Sequence, residues 1–211
     1  MSDHVDLGAS GATAGAPALV PDRRQGQRYK SVLRIAKLIC PKGEQLCVIR
    51  NISSGGLMAH VYARFEVGTQ LRVEFKSGET LACTVRWMRQ ELSGMQFDAP
   101  IDVDAFLAGV DRKTAAREPR APRLGVDTLG LMRCGVRYRP VTLCDISQGG
   151  AKLLAPDWTE VGQEVVMRVS GLPLLTGVIR WQNEQHAGIA FKTPIPLPVL
   201  AEWIAHVDPA H

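Results

Sequence analysis

The 211-residue sequence has little that would support a disulfide framework, a metal centre or a membrane span. Its five cysteines (Cys40, Cys47, Cys83, Cys134 and Cys144) are odd in number and include no C-x-x-C pair. That pattern excludes a paired-cysteine scaffold and a structural zinc site, and it fits free thiols in a reducing compartment. The five histidines are scattered and none belongs to an H-E-x-x-H pattern, so no metal is expected. No apolar run approaches the roughly 18 residues a membrane helix needs. Residues 1–21 lack a basic segment followed by a continuous apolar one, and read as a flexible Gly/Ala tail rather than a signal peptide. The expected compartment is the cytoplasm. Asp145 and Ser147 could be taken for part of a hydrolase triad, but there is no G-x-S-x-G elbow and no histidine set by a motif to serve as base. The expectation is therefore no catalytic residue, no cofactor and no enzyme. A net charge of +4 is too small to argue for nucleic acid by itself.

What the sequence does have is an internal repeat. Asn51-Ile-Ser-Ser-Gly-Gly56 returns 94 residues later as Asp145-Ile-Ser-Gln-Gly-Gly150. The same spacing carries Cys40 onto Cys134, Arg86-Trp87 onto Arg180-Trp181, Gly94 onto Gly188 and Phe97 onto Phe191. Uncommon residues coinciding at one ungapped spacing indicate a tandem duplication.

Inside each unit the pattern is that of short strands. In the first, Leu46–Ile52, Gln70–Phe75, Leu81–Met88 and Gly94–Phe97 are rich in β-branched, aromatic or Cys residues and are separated by Gly-containing breaks. Val141–Ile146, Ala151–Leu154, Glu164–Val169, Leu174–Trp181 and Ala187–Phe191 repeat the scheme. Such spacing points to a mainly β chain of two small antiparallel barrels or sandwiches. A helix-like stretch closes each unit: Val103–Val110, and Leu197–Val207 with Leu200, Trp203, Ile204 and Val207 at helical spacing. The implied organisation is a tail at 1–21, a first domain at 22–110, a charged, Pro-containing linker at 111–122 and a second domain at 123–211.

Positive charge is concentrated at the head of the first unit, in Arg23, Arg24, Arg28, Lys30 and Arg34, with no acidic residue between Arg23 and Glu44. Such a field attracts a compact anion, and the planar fork of arginine can grip phosphate oxygens or the O6/N7 edge of guanine. Arg24-x-x-x-Arg28 followed by Asn51-x-Ser53-x-x-Gly56 resembles the paired signature of PilZ domains, bacterial receptors for cyclic di-GMP. The resemblance implies two tandem six-stranded antiparallel β-barrels, each followed by a short C-terminal helix. It implies a ligand site in the first barrel made of Arg23, Arg24, Arg28, Asn51, Ser53, Gly55 and Gly56, with Arg23 bearing on ligand stoichiometry. It also implies a downstream protein effector in motility, polysaccharide or adhesion machinery.

The second unit keeps Asp145, Ser147 and Gly150, but the equivalents of Arg24 and Arg28 are Glu118 and Pro122. Arg120, Arg123, Asp145, Ser147 and Gly150 form a weaker second candidate set, reached by a small register shift. The favoured reading is a degenerate copy used for packing or partner contact. Trp87 and Trp181 are placed in the core or at the barrel end rather than against a base. Cys40 and Cys134 are read as equivalent buried strand positions. A ligand-independent adaptor is the alternative function. A basic arm binding nucleic acid ranks lower, because aromatic stacking motifs are lacking.

Overall fold

The computed structural model describes residues 30–41, 43–115, 121–154 and 157–207. In the first unit, strands β1 (Lys30–Cys40), β2 (Gly43–Ser53), β3 (Gly56–Val61), β4 (Gln70–Glu74), β5 (Thr80–Arg89) and β6 (Leu92–Phe97) lead into helix α1 (Val103–Ala115). In the second, β7 (Leu124–Cys134), β8 (Arg137–Ser147), β9 (Gly150–Leu154), β10 (Glu164–Val169), β11 (Leu175–Gln182) and β12 (His186–Phe191) lead into α2 (Leu197–Ile204). All pairings are antiparallel, and each set of six closes into a barrel, in the order β1-β2-β3-β6-β5-β4 and its counterpart. Closure removes the exposed sheet edges that a six-stranded open sheet would leave.

Alternation along the strands fills each barrel. Ala36, Leu38, Cys47, Ile49, Ile52, Val73 and Val85 point inward in the first; Met132, Leu143, Ile146, Leu153, Met167 and Ile179 do so in the second. The alternation breaks at three bulges per barrel: between Ser31 and Arg34, Ile49 and Asn51, and Val85 and Trp87. The second barrel breaks at Gly125/Thr128, Leu143/Asp145 and Ile179/Trp181, each 94 residues on. The duplication is thus repeated in the irregularities as well as in the strands.

Each helix starts from a definite signal. The Asp102 carboxylate accepts from the Asp104 and Ala105 amides at 3.0 and 3.1 Å, an N-cap for α1. Pro198 occupies the first turn of α2, where its missing N–H costs nothing. Val103 and Val110 bury α1 on the first barrel, with Phe106 edge-on to Phe75 at 4.9 Å. Helix α1 continues beyond Val110 to Ala115, into the stretch expected as linker. Asp111 is bridged to Arg34 and Lys113 to Glu79, which ties that extra turn to the barrel. Helix α2 stops at Ile204 instead of Val207, its last turn tightening as the His206 and Val207 amides bond the Trp203 and Ile204 carbonyls.

The barrels touch. Leu46 on β2 belongs to the second barrel's core cluster, and Ile35 and Tyr62 pack against it. Beside them the Gly125 amide donates to the Glu44 carboxylate at 2.9 Å. Glu44 also bonds Lys37 at 2.8 Å, and Glu74 lies 3.4 Å from the same ammonium. Burial draws the Lys37 pKa down, but the two carboxylates outweigh it and hold the group above its usual value. No helix among the described residues is long and apolar enough to cross a membrane.

Candidate functional site

Strand register sets one row of residues across the outside of the first barrel. Ser31 on β1 stands opposite Asn51 on β2, Asn51 opposite Met58 on β3, Met58 opposite Gly94 on β6, and Gly94 opposite Trp87 on β5. At the usual spacing of neighbouring strands the row is roughly 19 Å long. The bulge on β5 turns Arg86 and Trp87 outward together, and the Arg86 guanidinium is held by Gln96 at 2.7 Å. Trp87 is 37% exposed, which corrects its expected place in the core or at the barrel end. Its indole lies over Gly94, where an added Cβ would sit 2.0 Å from the indole nitrogen. Only glycine lets the ring rest against the strand. Arg89 lies 5.8 Å from the ring centroid. Trp181 repeats the arrangement over Gly188 at 39% exposure.

Around Asn51 the motif residues divide in role. The half-buried Asn51 carboxamide has no hydrogen-bond partner among the described residues. Ser53 donates its hydroxyl to the Gly56 carbonyl at 3.1 Å, which fixes the side chain with its lone pairs free to accept. Gly56 is required by packing: a Cβ there would meet the Met95 carbonyl oxygen at 2.3 Å. Neither Gly55 nor Gly56 has a positive φ. The Gly55 and Ser54 carbonyls accept from the Phe97 and Ile101 amides, both at 2.9 Å, so the chain leaving β6 pins the turn that carries the motif. Arg23, Arg24 and Arg28 lie outside the described residues. Lys30, two residues after Arg28, pairs with Ile52 in the middle of the Asn51–Ser53 stretch.

The equivalent row in the second barrel runs Gly125, Asp145, Lys152, Gly188, Trp181. Here the central position is spoken for. Asp145, 16% exposed, lies 3.4 Å from the Arg123 guanidinium and 3.5 Å from the Lys152 ammonium. Ser147 and Gly150 keep the geometry of their counterparts, with a 3.2 Å hydroxyl–carbonyl bond and a 2.3 Å limit at the Ile189 carbonyl. Arg120 falls outside the described residues. Arg123, a candidate ligand contact, instead faces Asp145.

The thiols take no part in either row. Burial pushes Cys47 and Cys83 up to about 12, so both are protonated at neutral pH. Cys40 and Cys134 are equivalent in position but half-buried at strand ends rather than buried, bonding the Gly43 carbonyl and the Gln163 side-chain oxygen.

The profile of the PilZ domain family matches this chain twice, over residues 22–111 and 117–207. The chain belongs to the PilZ family. Both matches include the Asn/Asp-x-Ser-x-x-Gly hairpin, and the first also takes in Arg24 and Arg28. No curated protein matches the sequence. Among solved structures, the tandem PilZ chain is similar to PlzA of Borreliella burgdorferi, determined in complex with c-di-GMP, at 14% identity and a TM-score of 0.37, covering 81% of this chain and 86% of that one. It is similar to YcgR of Escherichia coli, also in complex with c-di-GMP, at 11% identity and a TM-score of 0.34, with 82% of each chain covered. The motility inhibitor MotI/DgrA of Bacillus subtilis gives 11% identity and a TM-score of 0.33 over 82% of this chain and 94% of that one.

The Ser31–Asn51–Met58–Gly94–Trp87 row was only half legible beforehand. Met58 carries no motif, and its place depends on cross-strand register. The Trp87–Gly94 pair had a usable signal: Arg86-Trp87 breaks the period-2 alternation at the position where Arg180-Trp181 does, each followed seven residues later by a glycine.

Proposed function

We propose that this PilZ protein is a non-enzymatic cytoplasmic receptor for cyclic di-GMP, with its ligand site on the outer row of the first barrel. The observation that carries the reading is the union of two motifs in one family match: Arg24 and Arg28 in the sequence before β1, and Asn51 and Ser53 on the strand that β1 pairs with, with Gly56 at the start of β3. Lys30, which pairs with Ile52, follows Arg28 by two residues in the sequence. Arg24 and Arg28, with Arg23 beside them, supply forked donors for phosphates and for guanine O6/N7. Asn51 and Ser53 offer polar groups to the base edge, Gly55 and Gly56 keep the turn narrow, and the outward face of Trp87 offers a stacking floor.

The second barrel acts as an interaction module. Its acidic position is already neutralised by Arg123 and Lys152, which favours partner contact over ligand binding there. Ligand ordering of the arginine segment then shifts the first barrel relative to the second, and the change passes to a downstream protein effector through differential affinity for the two arrangements.

The test is isothermal titration of the whole chain with cyclic di-GMP, with GTP as control and an Arg24→Ala/Arg28→Ala variant alongside. Binding at about 1 μM or tighter is expected in the parent, with a loss of at least about 100-fold in the variant, since each charged fork contributes roughly 1.5–3 kcal/mol. A silent parent would refute the receptor and leave a ligand-independent adaptor.

A further inference from the structure

The two barrels meet through unlike surfaces. The first offers the outer side of β1 and β2, with Ile35, Leu46 and the Glu44 carboxylate; the second offers the head of β7 and helix α2. A joint of this kind between two equivalent units uses one surface of each and leaves the complementary one free on each. Among the described residues the free pair is the outer side of β7 and β8 on the second barrel, and the head of β1 with helix α1 on the first.

The outer side of β7 and β8 has the character of a joint without its cover. At the 94-residue spacing Ile35, Lys37, Glu44 and Leu46 become Leu129, Leu131, Tyr138 and Pro140. Leu129 is 73% exposed and Leu131 45%, with Val136 at the hairpin tip 93% exposed. Clustered apolar exposure of this kind marks an interaction surface more often than chance. Two cations flank it: Arg133 and Arg168 lie 5.7 and 4.5 Å from the Tyr138 ring centroid, and neither meets a carboxylate among the described residues.

The other free surface carries the opposite sign at matching positions. Where the second unit has Pro198 in α2 and Ala205 just after it, α1 has Asp104 and Asp111. Their side chains are 76% and 60% exposed even while bridging Lys30 and Arg34, so each has oxygen left for a second cation. Next to them Leu33 is 72% exposed, beside a cavity of about 270 Å³ that it lines with Phe75, Val110 and Thr114.

We propose that a second copy of the chain docks the head of its β1 and its α1 onto the outer β7–β8 face, repeating between chains the joint already made within one. Leu129 takes the place of Ile35, with Leu131 beside it where the first barrel has Lys37, and Arg133 and Arg168 meet Asp104 and Asp111 of the incoming copy. A symmetric face-to-face pairing would set the arginines of one copy against those of the other. Nucleic acid would want a bare aromatic face for a base, and both guanidiniums already lie over Tyr138. Contact between unlike faces does not close on itself at two copies, so assembly continues beyond the dimer.

Sedimentation velocity of the full chain from about 1 μM to about 1 mM covers the Kd range of such a contact. The expected result is a sedimentation coefficient that rises with concentration without levelling at the dimer. Leu131→Asp, at an exposed position, displaces the curve by about tenfold or more in concentration with an unchanged thermal melt. Arg133→Glu/Arg168→Glu and Asp104→Arg/Asp111→Arg each weaken association alone, and an equal mixture of the two recovers assembly beyond the dimer, the two variants alternating along it. A chain that stays monomeric throughout, or an association indifferent to Leu131→Asp, overturns the proposal. So does a monomer that binds duplex oligonucleotide through Arg133 and Arg168.

Discussion

The two barrels share strand order, bulge positions and the tryptophan-over-glycine contact, yet differ at the centre of their outer rows. In the first, Asn51 is neutral and unpartnered among the described residues, with Met58 beside it. In the second, an aspartate stands in its place between Arg123 and a lysine that replaces the methionine. Three replacements, Asn51 by Asp145, Met58 by Lys152 and Tyr29 by Arg123, thus separate a row with open hydrogen-bonding capacity from one whose capacity is spent internally. Both halves keep barrel closure and the close approaches at Gly56 and Gly150, and they differ at the polar centre. The second barrel thus keeps the fold with a different polar centre.

That comparison can be broken most sharply at the glycines beneath the tryptophans. Gly94→Ala and Gly188→Ala each force an indole off its strand and should destabilise their barrels alike, by about 1–3 kcal/mol in denaturant titrations. Only Gly94→Ala should also weaken cyclic di-GMP, by about tenfold or more in calorimetry. Equal losses of affinity from the two would make the rows equivalent after all. A smaller effect is expected at the motif itself. Asn51→Ala should cost roughly 1–1.5 kcal/mol of binding, whereas Asp145→Ala should leave the affinity within error.

Restoring the first barrel's chemistry to the second tests whether the arginine segment decides. Asp145→Asn with Lys152→Met removes a partly exposed ion pair, so stability should move by less than about 1 kcal/mol. No second ligand should bind in titration, because nothing in that variant replaces Arg24 and Arg28. A stoichiometry rising to two sites would show that the centre of the row, and not the arginines, governs binding. The smallest expected change is in thiol chemistry. With their pKa raised to about 12, Cys47 and Cys83 stay protonated and should resist alkylation at neutral pH in the folded chain, while the half-buried thiols react first in peptide mapping.

Much of this architecture was legible in the residues. The repeat spacing, both helix starts and most strands follow from patterning, because closed barrels enforce alternation and the helices carry clear start signals. Strands β1, β3 and β7 escaped notice for separate reasons. On β1 the cations Lys30, Arg34 and Lys37 and a bulge between Ser31 and Arg34 blur the period of two, and on β7 a bulge and two glycines do the same. Strand β3 begins at Gly56, inside what reads as a turn, because only Ser54 and Gly55 form the loop. The exposed tryptophans were misplaced because an apolar residue after a bulge points outward, and a bulge cannot be seen from composition. The joint between barrels depends on tertiary docking of Leu46 and Glu44, which no local pattern records.

The three bulges also bear on how the halves have drifted. Every landmark from Ser31 to Phe97 finds its counterpart at one constant separation, so no loop between them has gained or lost a net residue in one half relative to the other. Surface loops are where chains ordinarily tolerate length change most freely. Between these halves the amino acids have been widely replaced while the loop lengths have not. Length, more than identity, is what this tandem protein has been held to, and a single inserted residue is a harsher edit to it than many exchanged ones.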